Sequence, residues 1–137
     1  MPVDGATLWT LNHRLLTVVL ADCATELAAL GLEPKEFFVL AEVATTAYPA
    51  ELAATLVIPK ASVTMYVRSL TTKGLLQREI DEVDLRRHRL VLTTEGQRVR
   101  ERALDTLATA FDRRLATIAA RDRTELRRIL LALLEPR

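Results

Sequence analysis

The sequence predicts a mainly α-helical fold with one small two-stranded β-hairpin. Leu and Ala dominate, and aromatics make up only 4% of the residues, a composition that favours helices over sheets. Apolar residues recur every three or four positions along most of the chain, and that spacing drops to two only between Leu75 and Leu92. At 137 residues the chain has one domain's length, enough to bury a core. Four glycines, Gly5, Gly31, Gly74 and Gly96, lie too far apart to build a dinucleotide or triphosphate cradle. Cys23 is the only cysteine, which excludes an internal disulfide and a thiolate zinc cluster and fits a reducing compartment. No basic leader opens the N-terminus, and Asp22 interrupts the apolar run from Leu15. Neither secretion nor membrane insertion is expected, and the setting is expected to be cytoplasmic.

Asp4 suits the cap of a first helix whose apolar row runs Leu8, Leu11, Leu15, Val19, Cys23, Leu27 and Leu30, with Gly31 as its stop. A second row through Trp9, Leu16 and Leu20 makes this helix apolar on more than one side, so a second copy of the chain is an economical cover. Pro34 opens a short helix through Phe37, Phe38, Leu40, Ala41 and Val43, expected to end near Thr45 or Thr46. After Pro49, residues 50–56 read as a two-turn helix. Val57, Ile58 and Pro59 form a turn, and Lys60 to Lys73 a longer helix with Val63, Val67 and Leu70 inward. Gly74 closes it. Two helices joined in this way, the second presenting small and polar residues outward, form a helix-turn-helix.

Leu76, Arg78 and Ile80 lead into the hairpin and Arg89 to Leu92 lead out; residues 81–88 between them are too charged for a core and should project. Thr94 with Gln97 reads as a capping box for a long amphipathic helix to about Ala119. Asp122 with Glu125 repeats the pattern before a last helix through Leu134, and Pro136 follows it.

Charge is uneven. Residues 1–59 carry a net −5, residues 60–102 a net +4 and residues 103–137 a net +2, so the basic excess falls on the helix-turn-helix and hairpin, where a phosphate-binding surface would lie. The stretch Leu52-Ala53-x-x-Leu56, then Lys60-x-Ser62-Val63-Thr64-x-x-Val67-x-x-Leu70-x-x-Lys73-Gly74-Leu75, resembles the DNA-reading unit of the MarR family. Asp81-x-x-Asp84-x-Arg86 with Leu92-Thr93-x-x-Gly96 is similar to that family's wing and the start of its long helix. Val57 departs from the pattern where the turn often has Gly, and Leu85 where the wing commonly has a second basic residue. The resemblance implies a fold that is mainly α with a small two-stranded β-wing, a winged helix-turn-helix with dimerisation helices from both termini. It divides a single domain, 1–137, into a DNA-binding lobe at 33–93 and dimerisation helices at 4–31 and 94–135.

With Val63, Val67 and Leu70 inward, Lys60, Ala61, Ser62, Thr64, Met65, Arg68 and Ser69 lie on or beside the outer face of the second helix. Hydroxyls can bond base edges, Ala and Met can touch a thymine methyl, and Arg68 suits guanine or phosphate. Tyr66 suits either packing or a phosphate contact. Arg86 suits insertion into a narrow minor groove, with Asp84 orienting it through an ion pair. Arg87, His88 and Arg89 add phosphate donors, and Arg78 and Lys73 extend the set at the hairpin base. Asp81, Glu82, Asp84 and His88 are close enough to suggest a metal, but the crowding arginines favour turn formation for the aspartates. No metal or other cofactor is expected. Cys23, on an apolar row without a basic neighbour, reads as a buried small hydrophobe, the alternative being an oxidant sensor of the kind some family members carry. Trp9, His13, Phe37 and Phe38 either line a small-molecule effector pocket of the kind the family builds or pack the core.

The expected partners are therefore double-stranded DNA, a second copy of the chain and a small-molecule effector. The expected function is a non-enzymatic, ligand-responsive transcription regulator acting on an inverted-repeat operator. The alternative is a winged-helix protein-interaction module without DNA binding; an enzyme would need a convergent acid, base or nucleophile set that the sequence does not display.

Overall fold

The computed structural model describes residues 2–135. Helix α1 (Gly5–Ala29) starts where the Asp4 carboxylate accepts from Thr7 N at 2.8 Å, and Gly31 ends it with a left-handed φ of 79°. Helix α2 (Pro34–Val43) ends two residues before the expected Thr45–Thr46, whose backbone amides both donate to Glu42 O in a final turn. Helices α3 (Pro49–Leu56) and α4 (Lys60–Thr72) follow, then strands β1 (Leu76–Ile80) and β2 (His88–Leu92), which pair antiparallel with Leu76 opposite Leu92 and Ile80 opposite His88. Helices α5 (Thr94–Leu115) and α6 (Ala120–Leu134) complete the described chain.

The core lies where α2, α3, α4 and the hairpin base meet the C-terminal half of α1 and the inner face of α5 from Val99 to Phe111. Val63, Val67 and Leu70 are buried as their spacing predicts, and they pack with Val39, Leu40, Leu52, Leu76 and Leu90. In β1 only Leu76 is buried. Ile80, four residues on, is exposed, because the hairpin has left the lobe by that point.

Between α3 and α4 the turn places Val57 at φ 54° and ψ 50°, where a branched side chain costs about 1–2 kcal/mol. The Gly-free turn thus keeps the left-handed geometry at the expense of strain. The start of α5 differs by one residue from expectation. Thr93, not Thr94, is the cap: its Oγ1 accepts from Gly96 N at 2.9 Å and donates to Gly74 O at 2.6 Å, joining the end of α4 to the start of α5. Close approach explains Gly96, since a Cβ there would lie 1.9 Å from Leu75 O. Helix α5 ends at Leu115, one turn before the expected Ala119, and Ala119 precedes α6 without a side-chain cap, so Asp122 lies inside the first turn. Pro136 lies outside the described residues.

Two helices are left uncovered. No residue of α6 is buried, and Ile129, Leu130, Leu131, Leu133 and Leu134 are exposed. In α1 only Val19, Cys23 and Leu27 are buried, while Leu8, Trp9, Leu11, Leu15 and Leu16 face outward. An apolar trough of about 240 Å³ runs between them, lined by Leu15, Leu16, Leu107, Phe111, Leu126 and Leu130. No single helix among the described residues is long and apolar enough to cross a membrane.

Two glycine exchanges test the packing with opposite signs. Gly96→Ala should destabilise by about 2–3 kcal/mol, since the new methyl meets backbone rather than a movable side chain. Val57→Gly should stabilise by up to ~1 kcal/mol, because relief of about 1–2 kcal/mol of strain exceeds the extra chain entropy of glycine. Urea unfolding midpoints read both, and equal shifts of one sign would contradict the geometry.

Candidate nucleic-acid interface

One face of α4 is free. Lys60, Ala61, Thr64, Met65 and Arg68 are exposed and Ser62 is half-buried, while the opposite side of the helix carries the core residues. The Thr64 hydroxyl donates to Lys60 O at 3.0 Å, which leaves it as an acceptor toward an outside donor. Tyr66 turns sideways with Ser62 into a pocket of about 410 Å³ bounded by Lys35, Phe38, Leu56 and Ile58.

Two residues of the expected set have other work. Ser69, placed by spacing beside the outer face, donates its hydroxyl to Glu36 Oε2 at 2.7 Å. Lys73, expected at the DNA, sends its ammonium to Glu36 Oε1 and Oε2 at 2.7 and 2.8 Å and to Gly31 O at 2.7 Å. Those three acceptors match the three protons of an ammonium, so Lys73 has none to spare for a phosphate. Glu36 is buried at 3% exposure and also accepts from Glu33 N. Burial works against its charge, but the hydrogen bonds from Lys73, Ser69 and Glu33 outweigh it and hold the carboxyl below the usual glutamate range.

In the wing, aspartates build the loop. Asp81 Oδ1 accepts from Val83 N at 2.8 Å and Asp84 N at 3.2 Å, and Asp84 Oδ1 accepts from Arg86 N at 3.0 Å and Arg86 Nε at 3.3 Å. The expected Asp84–Arg86 pair is present, and the arginine side chain projects from it at 93% exposure. Its neighbours are less free. Arg87 lies 3.7 Å from the centre of the Tyr48 ring and 3.3 Å from Glu51, and Arg89 pairs across the hairpin with Glu79 at 3.1 Å. Arg78 and His88 are exposed on the strands. Tyr48, which the sequence reading overlooked, donates its hydroxyl to Asp81 Oδ2; this bond pulls the Asp81 carboxyl down and pushes the Tyr48 phenol up. Glu36 had a visible signal, a carboxylate on the same helical row as Val39, Leu40 and Val43, whereas the Tyr48–Asp81 contact, 33 residues apart, had none.

The four candidates for an effector pocket are not brought together within one chain. Phe37 is in the core and Phe38 beside it borders the 410 Å³ pocket, while Trp9 is 67% exposed and tilts against His13 on the open half of α1. Cys23 is buried and donates to Val19 O at 3.4 Å; burial, with Glu26 adding to it, pushes its thiol up. That is an unreactive setting.

A helix-turn-helix followed by a two-stranded hairpin with an arginine at its tip, flanked by helices from both ends of the chain, defines a winged-helix protein. Residues 30–87, most of the winged-helix lobe, match the model of the MarR family. CouR from Rhodococcus jostii RHA1, bound to p-coumaroyl-CoA, superposes with a TM-score of 0.82 at 25% identity, covering 95% of this chain and 93% of its own. A Mycobacterium tuberculosis MarR family protein in complex with p-aminosalicylic acid gives 0.76 at 24%, covering 98% and 100%. A mutant MarR from E. coli gives 0.78 at 21%, covering 98% of each chain. No curated protein matches the chain in sequence. The fold expected from the resemblance is the fold observed, and the family match falls on its winged-helix lobe.

Lys73→Met should unfold the lobe more readily by about 2–3 kcal/mol, below the ~3–5 kcal/mol of a fully buried broken pair because the lysine side chain is 36% exposed. The Glu36 carboxyl is depressed in the folded state, so its contribution is present above the unfolded glutamate pKa and is lost as pH falls through the folded one. Wild-type stability should thus drop below the usual carboxylate range, and the variant should lack that drop. Denaturation at several acid pH values checks both, and parallel curves for the two proteins would contradict the assignment.

Proposed function

We propose that the protein is a homodimeric, sequence-specific transcription regulator that binds duplex DNA at an inverted repeat and is tuned by a small-molecule effector. The observation that carries this reading is the wing tip: Arg86 is the most exposed cation of the loop, with its backbone held by Asp84, in the same lobe that leaves one face of α4 uncovered. On this reading α4 enters the major groove with Lys60, Ala61, Ser62, Thr64, Met65 and Arg68 toward the bases, and Arg86 reaches the adjacent minor groove. Arg78 and His88 serve phosphates, as do Arg87 and Arg89 to the extent that their ion pairs release them. The lobe at 33–93 does the reading, and the helices at 4–31 and 94–135 join the two copies.

Dimerisation follows from the leucines of α1 and α6, each of which gains roughly 1.5–3 kcal/mol on full burial and finds too little cover in its own chain. Effector control is supported by the ligand-bound relatives, p-coumaroyl-CoA in CouR and p-aminosalicylic acid in the mycobacterial protein. In a dimer, the partner's α1 can complete a pocket that Phe38 only begins. One observation favours the interaction-module reading: Val83 and Leu85 are also exposed at the wing tip, at 97% and 74%.

Binding to a duplex measured against salt separates the two readings, alongside sedimentation at micromolar concentration, which should give a dimer mass. Arg86→Ala should weaken binding to every sequence and reduce the log-log salt slope by ~0.9 per protomer. Thr64→Ala or Ser62→Ala should leave the slope unchanged and relax preference at one or two base pairs, each worth roughly 1–3 kcal/mol. Wild-type slope and affinity for Arg86→Ala would favour the interaction module, and a monomer would remove the inverted repeat.

A further inference from the structure

We propose that Tyr48 is the positioning residue of the wing: from the start of α3 it holds both sides of the loop's neck and so fixes the pose in which Arg86 is presented. The role in DNA contact rests on the function proposed above, but the effect of Tyr48 on the loop does not.

The anchor itself is rigid. Tyr48 immediately precedes Pro49, which keeps its backbone extended at φ −108° and ψ 133°, and Leu90 N donates to Ala47 O at 2.8 Å, binding the neighbouring residue to β2. From that fixed point one side chain makes two contacts of different kinds. The hydroxyl donates to Asp81 Oδ2, and the ring face receives the Arg87 guanidinium at 3.7 Å, an attraction of the cation to the electron-rich face.

Asp81 and Arg87 are the residues that close the loop. Asp81 N donates to Arg87 O at 2.9 Å, and Arg87 N donates to Asp84 O at 2.9 Å. Asp81 divides its carboxylate: Oδ2 goes to the tyrosine, while Oδ1 holds the amides of Val83 and Asp84, the residues that lead to Arg86. A rotation of the Asp81 carboxylate would therefore disturb those amides, and the Asp84 turn that orients Arg86 comes next. The Asp81 and Tyr48 titrations shift in the directions this hydrogen bond requires. Arg87 with Glu51 also joins wing to α3, but that pair is exposed, a kind that contributes little. A two-stranded ribbon of five residues a side is marginal alone, so a tie near its tip has a large effect on where the tip points.

Tyr48→Phe keeps the ring, and with it the Arg87 stack, but removes the hydrogen bond; Tyr48→Ala removes both. Hydrogen-exchange NMR should show the Val83 and Asp84 amides exchanging at least about threefold faster in Tyr48→Phe and faster again in Tyr48→Ala, with α2 and α4 unchanged. Duplex affinity should fall about three- to tenfold in Tyr48→Phe. In an Arg86→Ala background the same change should have almost no further effect, because a tyrosine acting through Arg86 has nothing left to position. A structural role alone would produce additive losses. Wild-type exchange rates at the loop in both variants overturn the proposal, and so does full additivity with Arg86→Ala. If the wild-type protein binds no duplex, the DNA-binding function fails, while the exchange rates still decide whether Tyr48 holds the wing.

Discussion

A carboxylate without water must be surrounded by donors, and in this protein that requirement brings three helices together. Glu36 sits on the buried side of α2, on a row otherwise apolar, and leaving it charged and unpaired there would cost several kcal/mol. Its partners come from Ser69 and Lys73 at the end of α4, and Lys73 continues to Gly31 O where α1 has just ended. The rear of α4 is thereby fixed to the helix that precedes the lobe. The end of α1, α2 and the end of α4 are thus joined through one carboxylate and one ammonium.

The front of the lobe is fixed separately. Thr93 bridges Gly74 and Gly96, Gly96 lies against the Leu75 carbonyl, and the hairpin starts from that junction with Leu76 and Leu90 buried. Tyr48 then holds the loop from the start of α3. Between these attachments, the cations of α4 and the hairpin are not equally free. Lys73 is fully engaged, and Arg87 and Arg89 are partly so, whereas Lys60, Arg68, Arg78 and Arg86 face outward. The candidate interface is smaller than the charge count of the segment suggests, because part of that charge holds the lobe together.

What could be read from the sequence was the local part of the fold. The three- and four-residue spacing of Val63, Val67 and Leu70 placed α4 correctly, and the hairpin, the projecting loop and the Asp84–Arg86 pair two residues apart were all legible. Caps were harder. Thr93 and Thr94 are adjacent hydroxyls, and only the approach of Gly74 O selects the first. The contacts of Ser69 and Lys73 with Glu36 share one reason for being illegible, since their acceptor lies 33 and 37 residues away and helical spacing alone cannot show it. The four residues proposed for an effector pocket do not line one cavity: Phe38 borders the pocket beside α4, and Trp9 tilts against His13 on the exposed half of α1. The exposed leucines of α1 and α6 are the counterpart of that gap, an apolar surface whose periodicity was evident and whose partner was not.

In the function proposed above, two copies of α4 and two wings read one duplex. Selection of bound sequences from random duplex DNA, followed by footprinting of the best site, tests it most directly. The expected result is an inverted repeat with guanine N7 protected in two successive major grooves about 10 base pairs apart, and minor-groove protection at both outer flanks that disappears in Arg86→Ala. A selection that enriches no sequence, or a footprint confined to one asymmetric half-site, would contradict it.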